Sequence, residues 1–298
     1  MIQHRIVERP AFKVAGKKTW IYGCPSHKRP KGDVMTRTYT EQNRRAWDEI
    51  AEARHKAISP SPDLSAQGGS TAVGTTLDAR VLQAAEPIAG KTVLHLQCST
   101  GAETLAWAAA GARATGVDIS ERQIEIAQQT AQAAHLPVRF VASDVYTLPA
   151  DLLQASFDMV YTGGGAVVWL PDLEQWAKTV ASALKPGGLF ILLEEHPVAA
   201  CLWVENGALQ LDADYFGRSK PDIVRGWSHF EGGEAAQEDK VEFAWPLGDV
   251  VTALAQAGLR ITRLEEYPSA ERWRFGDRLD QVKRLPGEYL LLAQRDRG

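Results

Sequence analysis

The sequence predicts an α/β fold: a doubly wound, mostly parallel, seven-stranded sheet with an N-terminal helical cap and an insertion after the fifth strand. Three observations predict it. From Gly90 onward, short apolar runs alternate with helical stretches, the mark of parallel strands joined by right-handed crossovers. Helix start and stop signals fall between those runs, at Ser120, Gly111 and Lys185-Pro186-Gly187-Gly188. After a last helix come two final strands, RITRLEEYP and GEYLLLAQR, which read as an antiparallel pair.

The first strand is KTVLHLQC, continuously apolar as a strand buried on both faces must be. AETLAWAAAG is the first crossover helix, stopped by Gly111, and RATGVDIS is the second strand. Ser120 and Gln123 form an S-x-x-Q capping box that opens ERQIEIAQQTAQAAH. VRFVASDV and FDMVYTGGG are strands three and four, DLEQWAKTVASALKPGG a helix with its stop, and LFILLEEHP strand five. Regular patterning lapses over 197–245, a stretch rich in Trp, Gly, His and Tyr. It resumes with the helix GDVVTALAQAGL and the strands RITRLEEYP and GEYLLLAQR.

Upstream of the sheet, TEQNRRAWDEIAEARHKA is helical with Thr40 as its N-cap, and DARVLQAAEPI is a second short helix. A Pro- and Gly-rich loop separates them. Residues 1–34 read as a separate N-terminal extension carrying eight Lys/Arg against two acids. The domain reading is therefore 1–34 extension, 35–89 helical cap over the binding site, and 90–298 core, with 197–245 as a substrate-side insertion.

Composition bounds the partners. With 45% hydrophobic and 23% charged residues the chain is that of an ordinary globular protein. A net charge of −4 and the lack of a basic stripe outside residues 1–34 argue against nucleic acid and against an acidic membrane. Cys24, Cys98 and Cys201 are too scattered for a disulfide framework or a metal site, which fits a cytoplasmic chain. Nine Trp is a high count; most belong to core or packing positions, and a surplus can line an apolar pocket.

An open sheet of this kind binds ligands outside the carboxyl ends of its strands, where strand order reverses. Three places in the sequence stand there. The turn His95–Gly101 offers small residues and free N–H groups at a helix start. Asp118 ends strand two, where a carboxylate can accept from both hydroxyls of a ribose, and Asp144 ends strand three, within reach of an adenine amino group.

HLQCSTG, GVDIS, SDVYTLP, FDMVYTGGG and LKPGG, in that order over residues 90–196, resemble the successive motifs of the class I S-adenosylmethionine (SAM)-dependent methyltransferases, which are Rossmann-like. The resemblance implies a small-molecule methyltransferase that uses SAM and releases S-adenosylhomocysteine (SAH). It puts Asp118 and Ile119 at the ribose, Asp144 and Val145 at the adenine, and Gly101 under the methionine part, with His95, Gln97 and Ser99 lining the turn. Thr162 and Gly163 fall near the transferred methyl. Where the family has an acid this chain has His95, and where it has glycines this chain has Gln97 and Ser99. The Gln97 amide oxygen, or backbone carbonyls, then takes over the ammonium. IVERPAFKVAGKKTW resembles, over a far shorter stretch, the opening strand of gyrase-inhibitor-like small-molecule-binding domains.

His196, following Glu194 and Glu195 at the end of strand five, is the expected general base, with His229 as the second candidate. Trp169, Glu195, Trp203, Tyr215 and Trp227 are the expected acceptor-side residues. Two other readings stand beside this one: a nicotinamide-dependent oxidoreductase, which the missing G-x-G-x-x-G disfavours, and a SAM-binding regulator without turnover.

Overall fold

The computed structural model describes residues 33–58, 77–217, 220–227 and 233–297. Residues 1–32 of the expected N-terminal extension and His229 lie outside them. Seven strands form one sheet in the order β3-β2-β1-β4-β5-β11-β10. They are β1 (Thr92–Leu96), β2 (Arg113–Asp118), β3 (Arg139–Ala142), β4 (Phe157–Gly163), β5 (Leu184–Glu195), β10 (Leu259–Pro268) and β11 (Pro286–Arg295). β1 to β5 pair in parallel, whereas β11 runs antiparallel to both β5 and β10. The chain moves outward from β1 to β3, then crosses back to β4, so strand order reverses between β1 and β4.

Period-two alternation places successive strand residues in two different cores. Leu94, Leu96, Val160, Phe190 and Leu192 face α5 (Leu173–Ala183) and α7 (Leu247–Gln256), where Trp176, Val180 and Leu254 are fully buried. Val93, Met159, Tyr161, Ile191 and Leu290 face the other way, onto α2 (Ala79–Ala85) and Trp107 of α3 (Ala102–Ala109). α4 (Glu121–Ala133) closes the β2–β3 edge through Ile124, Ala127 and Phe140.

Four local expectations change. α1 (Asp33–Ile58) begins seven residues before Thr40, because nothing between Asp33 and Thr40 breaks a helix; the Thr40 hydroxyl turns back onto the Arg37 carbonyl. The Ser120 hydroxyl caps α4 by accepting from Gln123 N–H at 3.1 Å, but Gln123 does not return the bond. Its Oε1 accepts from the Ser99 hydroxyl at 2.5 Å instead, so the capping box is half formed. The LKPGG segment belongs to β5 rather than to the end of α5. The 197–245 stretch is more ordered than its composition suggests: it holds α6 (Pro197–Ala200), the hairpin β6–β7 (Leu202–Glu205, Ala208–Leu211) and the hairpin β8–β9 (Pro221–Arg225, Asp239–Phe243). Among the described residues no helix is long and apolar enough to cross a membrane.

α1 lies along β9. The Asn43 side-chain amide donates to the Val241 carbonyl at 2.8 Å and accepts from Val241 N–H at 2.7 Å, as a neighbouring strand would. Glu49 accepts from the N–H groups of Gln237 and Glu238, both at 2.8 Å.

Candidate active site

A crevice of about 700 Å³, open mouth included, lies over the carboxyl ends of β1, β2, β3 and β4. Its floor is built from strand-end residues. Asp118 terminates β2 and is only 7% exposed. Its two carboxylate oxygens accept from Ser99 N–H at 2.7 Å and Ser120 N–H at 2.9 Å, which leaves lone pairs facing the crevice. Burial raises its pKa to about 6 against the pull of those N–H donors. Asp144, Val145 and Ile119 line the same floor, and Asp144 accepts from Tyr146 N–H at 3.0 Å.

The turn after β1 holds a tight left-handed path without glycine at two of its positions. Gln97 has φ +58° and Ser99 φ +53°, a region costly for residues with a Cβ. Gly101 (φ +80°) could not be replaced in kind, since a Cβ would come within 2.8 Å of Phe140 and Ala127. Gln97 Nε2 donates to the Ala166 carbonyl at 2.7 Å, while its buried Oε1 has no partner among the described residues. That orphaned acceptor sits on a residue lining the crevice.

The turn after β4 forms the opposite lip, with Gly163, Gly164, Gly165 and Ala166 in the lining. Glu194, 4% exposed near the end of β5, fixes this turn. Its carboxylate accepts from Gly165 N–H (2.7 Å), Ala166 N–H (2.8 Å), Val167 N–H (3.0 Å) and Glu195 N–H (2.8 Å). Burial still pushes its carboxyl above the usual range. Sequence reasoning missed this glutamate: a lone acid beside an expected site residue gives no sign that it collects four amides.

Beyond Gly164 and Gly165 the crevice joins a second space bordered by Trp47, Arg54, Glu103, Trp169, Trp227 and Arg274 among others. Trp47 of α1 meets Trp169 edge to face at 5.0 Å and Trp227 at 4.4 Å. Lys240 Nζ lies 4.8 Å over the Trp227 ring. Glu195 lines this space and pairs with Arg274; burial raises its pKa to about 7 although the guanidinium opposes the shift. A further cavity, behind Glu195, is lined by Tyr215, Phe243 and Trp245.

The expected site residues thus divide. Gln97, Ser99, Asp118, Ile119, Asp144, Val145 and Gly163 meet in the crevice, and Trp169, Glu195 and Trp227 border the adjoining space. Tyr215 is one cavity away, and Trp203 lies under Arg274 at 5.1 Å on the β6–β7 hairpin. Gly101 caps α3 and packs on α4 rather than lining the crevice. Thr162 is fully buried inside β4. His95 is buried with Nδ1 2.8 Å from the Thr104 hydroxyl, and desolvation holds its pKa at about 3, so it carries no charge. His196 caps α6: its Nδ1 accepts from Val198 N–H at 3.1 Å, and its Nε2 lies 2.9 Å from Glu266. It borders none of these cavities, because capping turns the ring away from the sheet end.

The donor set suits a nucleoside that carries an amino-acid tail. Two carboxylates at adjacent strand ends offer acceptors to a diol and an amine, Val145 gives a ring an apolar face, and the Gln97 oxygen waits for a donor.

Comparison with known proteins agrees with this geometry. The profile of a family described as a methyltransferase domain matches residues 93–188. The chain is 37% identical over 99 residues to the ubiquinone biosynthesis O-methyltransferase of Idiomarina loihiensis, covering 33% of this chain and 40% of that protein. The counterpart from Coxiella burnetii is 34% identical over 120 residues, covering 40% and 50%. These matches span half or less of the relatives' length; the counterpart from Ralstonia nicotianae matches over 89% of its length, at 26% identity. The crystal structure of a SAM-dependent methyltransferase from Mesorhizobium loti shares the fold, with TM-score 0.51 and 23% identity over 72% of this chain and 96% of that one. The cyclase SpnF shares it too, with TM-score 0.56 and 16% identity over 87% and 97%. The segment 93–188 thus matches a methyltransferase-domain family, and the sheet that carries it has the fold of SAM-dependent methyltransferases of known structure.

Proposed function

We propose that this chain moves a methyl group from SAM to a small-molecule acceptor by in-line displacement, releasing SAH. The observation that carries the reading is Asp118: a buried strand-end carboxylate with unused lone pairs, at the point where strand order reverses. When bound, SAM supplies a methyl made electrophilic by its sulfonium. The chain's own residues then have three tasks. Asp118 and Asp144 fix the nucleoside; the turns tied together by Gln97 and Ala166 position the reacting end. The tryptophans of the adjoining space exclude water and bound the acceptor.

Where the acceptor must lose a proton, Glu195 is the group suited to take it, since its carboxyl titrates at about 7 and lines the acceptor side. Residues 35–89 serve as a cap, a role supported by Thr40, Asn43, Trp47 and Arg54 in the crevice lining, and 197–245 as the acceptor-side insertion. The small-molecule reading draws support from the relatives named as O-methyltransferases of ubiquinone biosynthesis. A cytoplasmic protein without nucleic-acid partners fits the net charge of −4 and the free buried thiols of Cys98 and Cys201.

Thermal unfolding with added nucleotides tests the cofactor. SAM and SAH raise the midpoint and NAD does not. Stabilisation by NAD alone favours the oxidoreductase reading. Binding of SAM with no turnover across an acceptor panel favours the regulator.

A further inference from the structure

We propose that Glu103 and Arg54 form the receptor for the amino-acid end of the cofactor, the carboxylate taking its α-ammonium and the guanidinium its α-carboxylate. The inference rests on SAM being the ligand of the crevice. With Asp118 and Asp144 at the nucleoside, a tail that passes Gln97 and the Gly163–Gly165 turn enters the adjoining space, which it would share with the acceptor. A zwitterion arriving there needs one charge of each sign, because an ion left alone in a buried site pays its full desolvation cost.

The acids bordering that space can be sorted by what already occupies them. Glu194 is taken by four backbone N–H groups. Glu195 pairs with Arg274; Glu271 lies 3.6 Å from the same guanidinium, which neutralises it, although its buried Oε2 has no hydrogen-bond partner among the described residues. Asp78 and Glu288 are paired with Arg80. Glu103, on the first turn of α3, holds the neutral hydroxyl of Tyr161 at 3.1 Å and has Arg54 as its nearby cation. Arg54, from α1, borders both the crevice and the adjoining space, and it feels the charges of Glu103 and Asp118 together. An oppositely charged pair of this sort is matched by a zwitterion, which satisfies both members and strands neither. The nearest strand-end position cannot do the work: His95 is neutral, held by Thr104, and lines neither space. Gln97 Oε1, the orphaned acceptor on the way, adds a neutral contact for the same ammonium.

Burial holds the Glu103 carboxyl above its ordinary range, with Arg54 opposing, so an incoming ammonium would favour its ionised form. Sequence spacing hides the pair: residues 54 and 103 lie on different helices, one in the cap and one in the core.

The test compares two probes by calorimetry on the full chain. SAH carries the amino-acid tail, and 5′-methylthioadenosine carries the same nucleoside without it. Glu103→Gln and Arg54→Gln should each weaken SAH by about tenfold to a hundredfold, the loss expected for a charge-assisted contact. Methylthioadenosine affinity should stay within about threefold, which also shows that each variant is folded. SAH affinity unchanged in both variants overturns the inference, as does an equal loss for the two probes. If the unaltered chain binds neither probe, the SAM reading itself fails and the inference falls with it.

Discussion

Gln97 Nε2 reaches the carbonyl oxygen of Ala166 at 2.7 Å, so the turn after β1 is tied directly to the turn after β4 across the mouth of the crevice. The tie is bought with a left-handed backbone at a residue that has a side chain. Two substitutions separate the effects. Gln97→Ala loses the hydrogen bond and keeps the strain, whereas Gln97→Gly loses the bond and relieves the strain. Urea unfolding should find the alanine variant less stable than the original by about 1–2 kcal/mol, with the glycine variant lying above alanine by about 1 kcal/mol. An alanine variant at least as stable as glycine would remove the strain argument.

With Asp118 at the ribose, as proposed, cofactor affinity depends on pH: hydroxyls that donate to the ionised carboxylate make binding release a proton wherever the free carboxyl is still protonated. With a pKa of about 6, SAH affinity should climb as pH rises from 5 to 7 and then level off. Asp118→Ala should weaken SAH by about 2–3 kcal/mol at pH 7.5 and flatten that profile, as read by calorimetry at several pH values.

Glu195 should appear in the rate. A base must be ionised, so turnover rises through about pH 7 and reaches a plateau above it. Glu195→Gln should lower turnover by about two to three orders of magnitude and leave SAH affinity close to its original value. Stability carries a second sign. The folded pKa lies above the ordinary 4.5, so the folded state holds more protons between about 4.5 and 7. This glutamate therefore subtracts stability as pH rises through that window, and the glutamine variant should lack that slope in urea unfolding.

His196 should affect folding and leave the pH profile of turnover alone. Its Nδ1 caps α6, and burial holds its pKa below the ordinary value against the opposing pull of Glu266. The folded state thus binds fewer protons than the unfolded chain, and stability falls as pH drops below about 6.5. His196→Ala should cost about 1 kcal/mol; His196→Asn, which can still cap, should restore most of it. A shift in the pH profile of turnover in either variant would return His196 to the chemistry.

The inner strands were legible because β1, β2, β4 and β11 are buried on both faces, and burial of that kind writes an apolar run with no period. Asp118 and Asp144 were legible for a related reason: a carboxylate closing an apolar run sits at a strand end, and strand ends in such a sheet face the ligand. The hairpins of 197–245 were not. Leu209, Ile223 and Val224 are part-buried or exposed, so their strands are held by pairing and leave little hydropathy signal. His196 lies off the cavities because the direction of a side chain past a strand end is set by the next turn, here a cap, and not by the strand. Glu194, Glu103 and Arg54 act through partners distant in the sequence, and no local pattern marks them.

Asn43 of α1 satisfies both backbone polar groups of Val241 in the β8–β9 hairpin. The helix α1 and the β8–β9 ribbon are thereby one mechanical part, and moving either without the other would break a pair of buried hydrogen bonds.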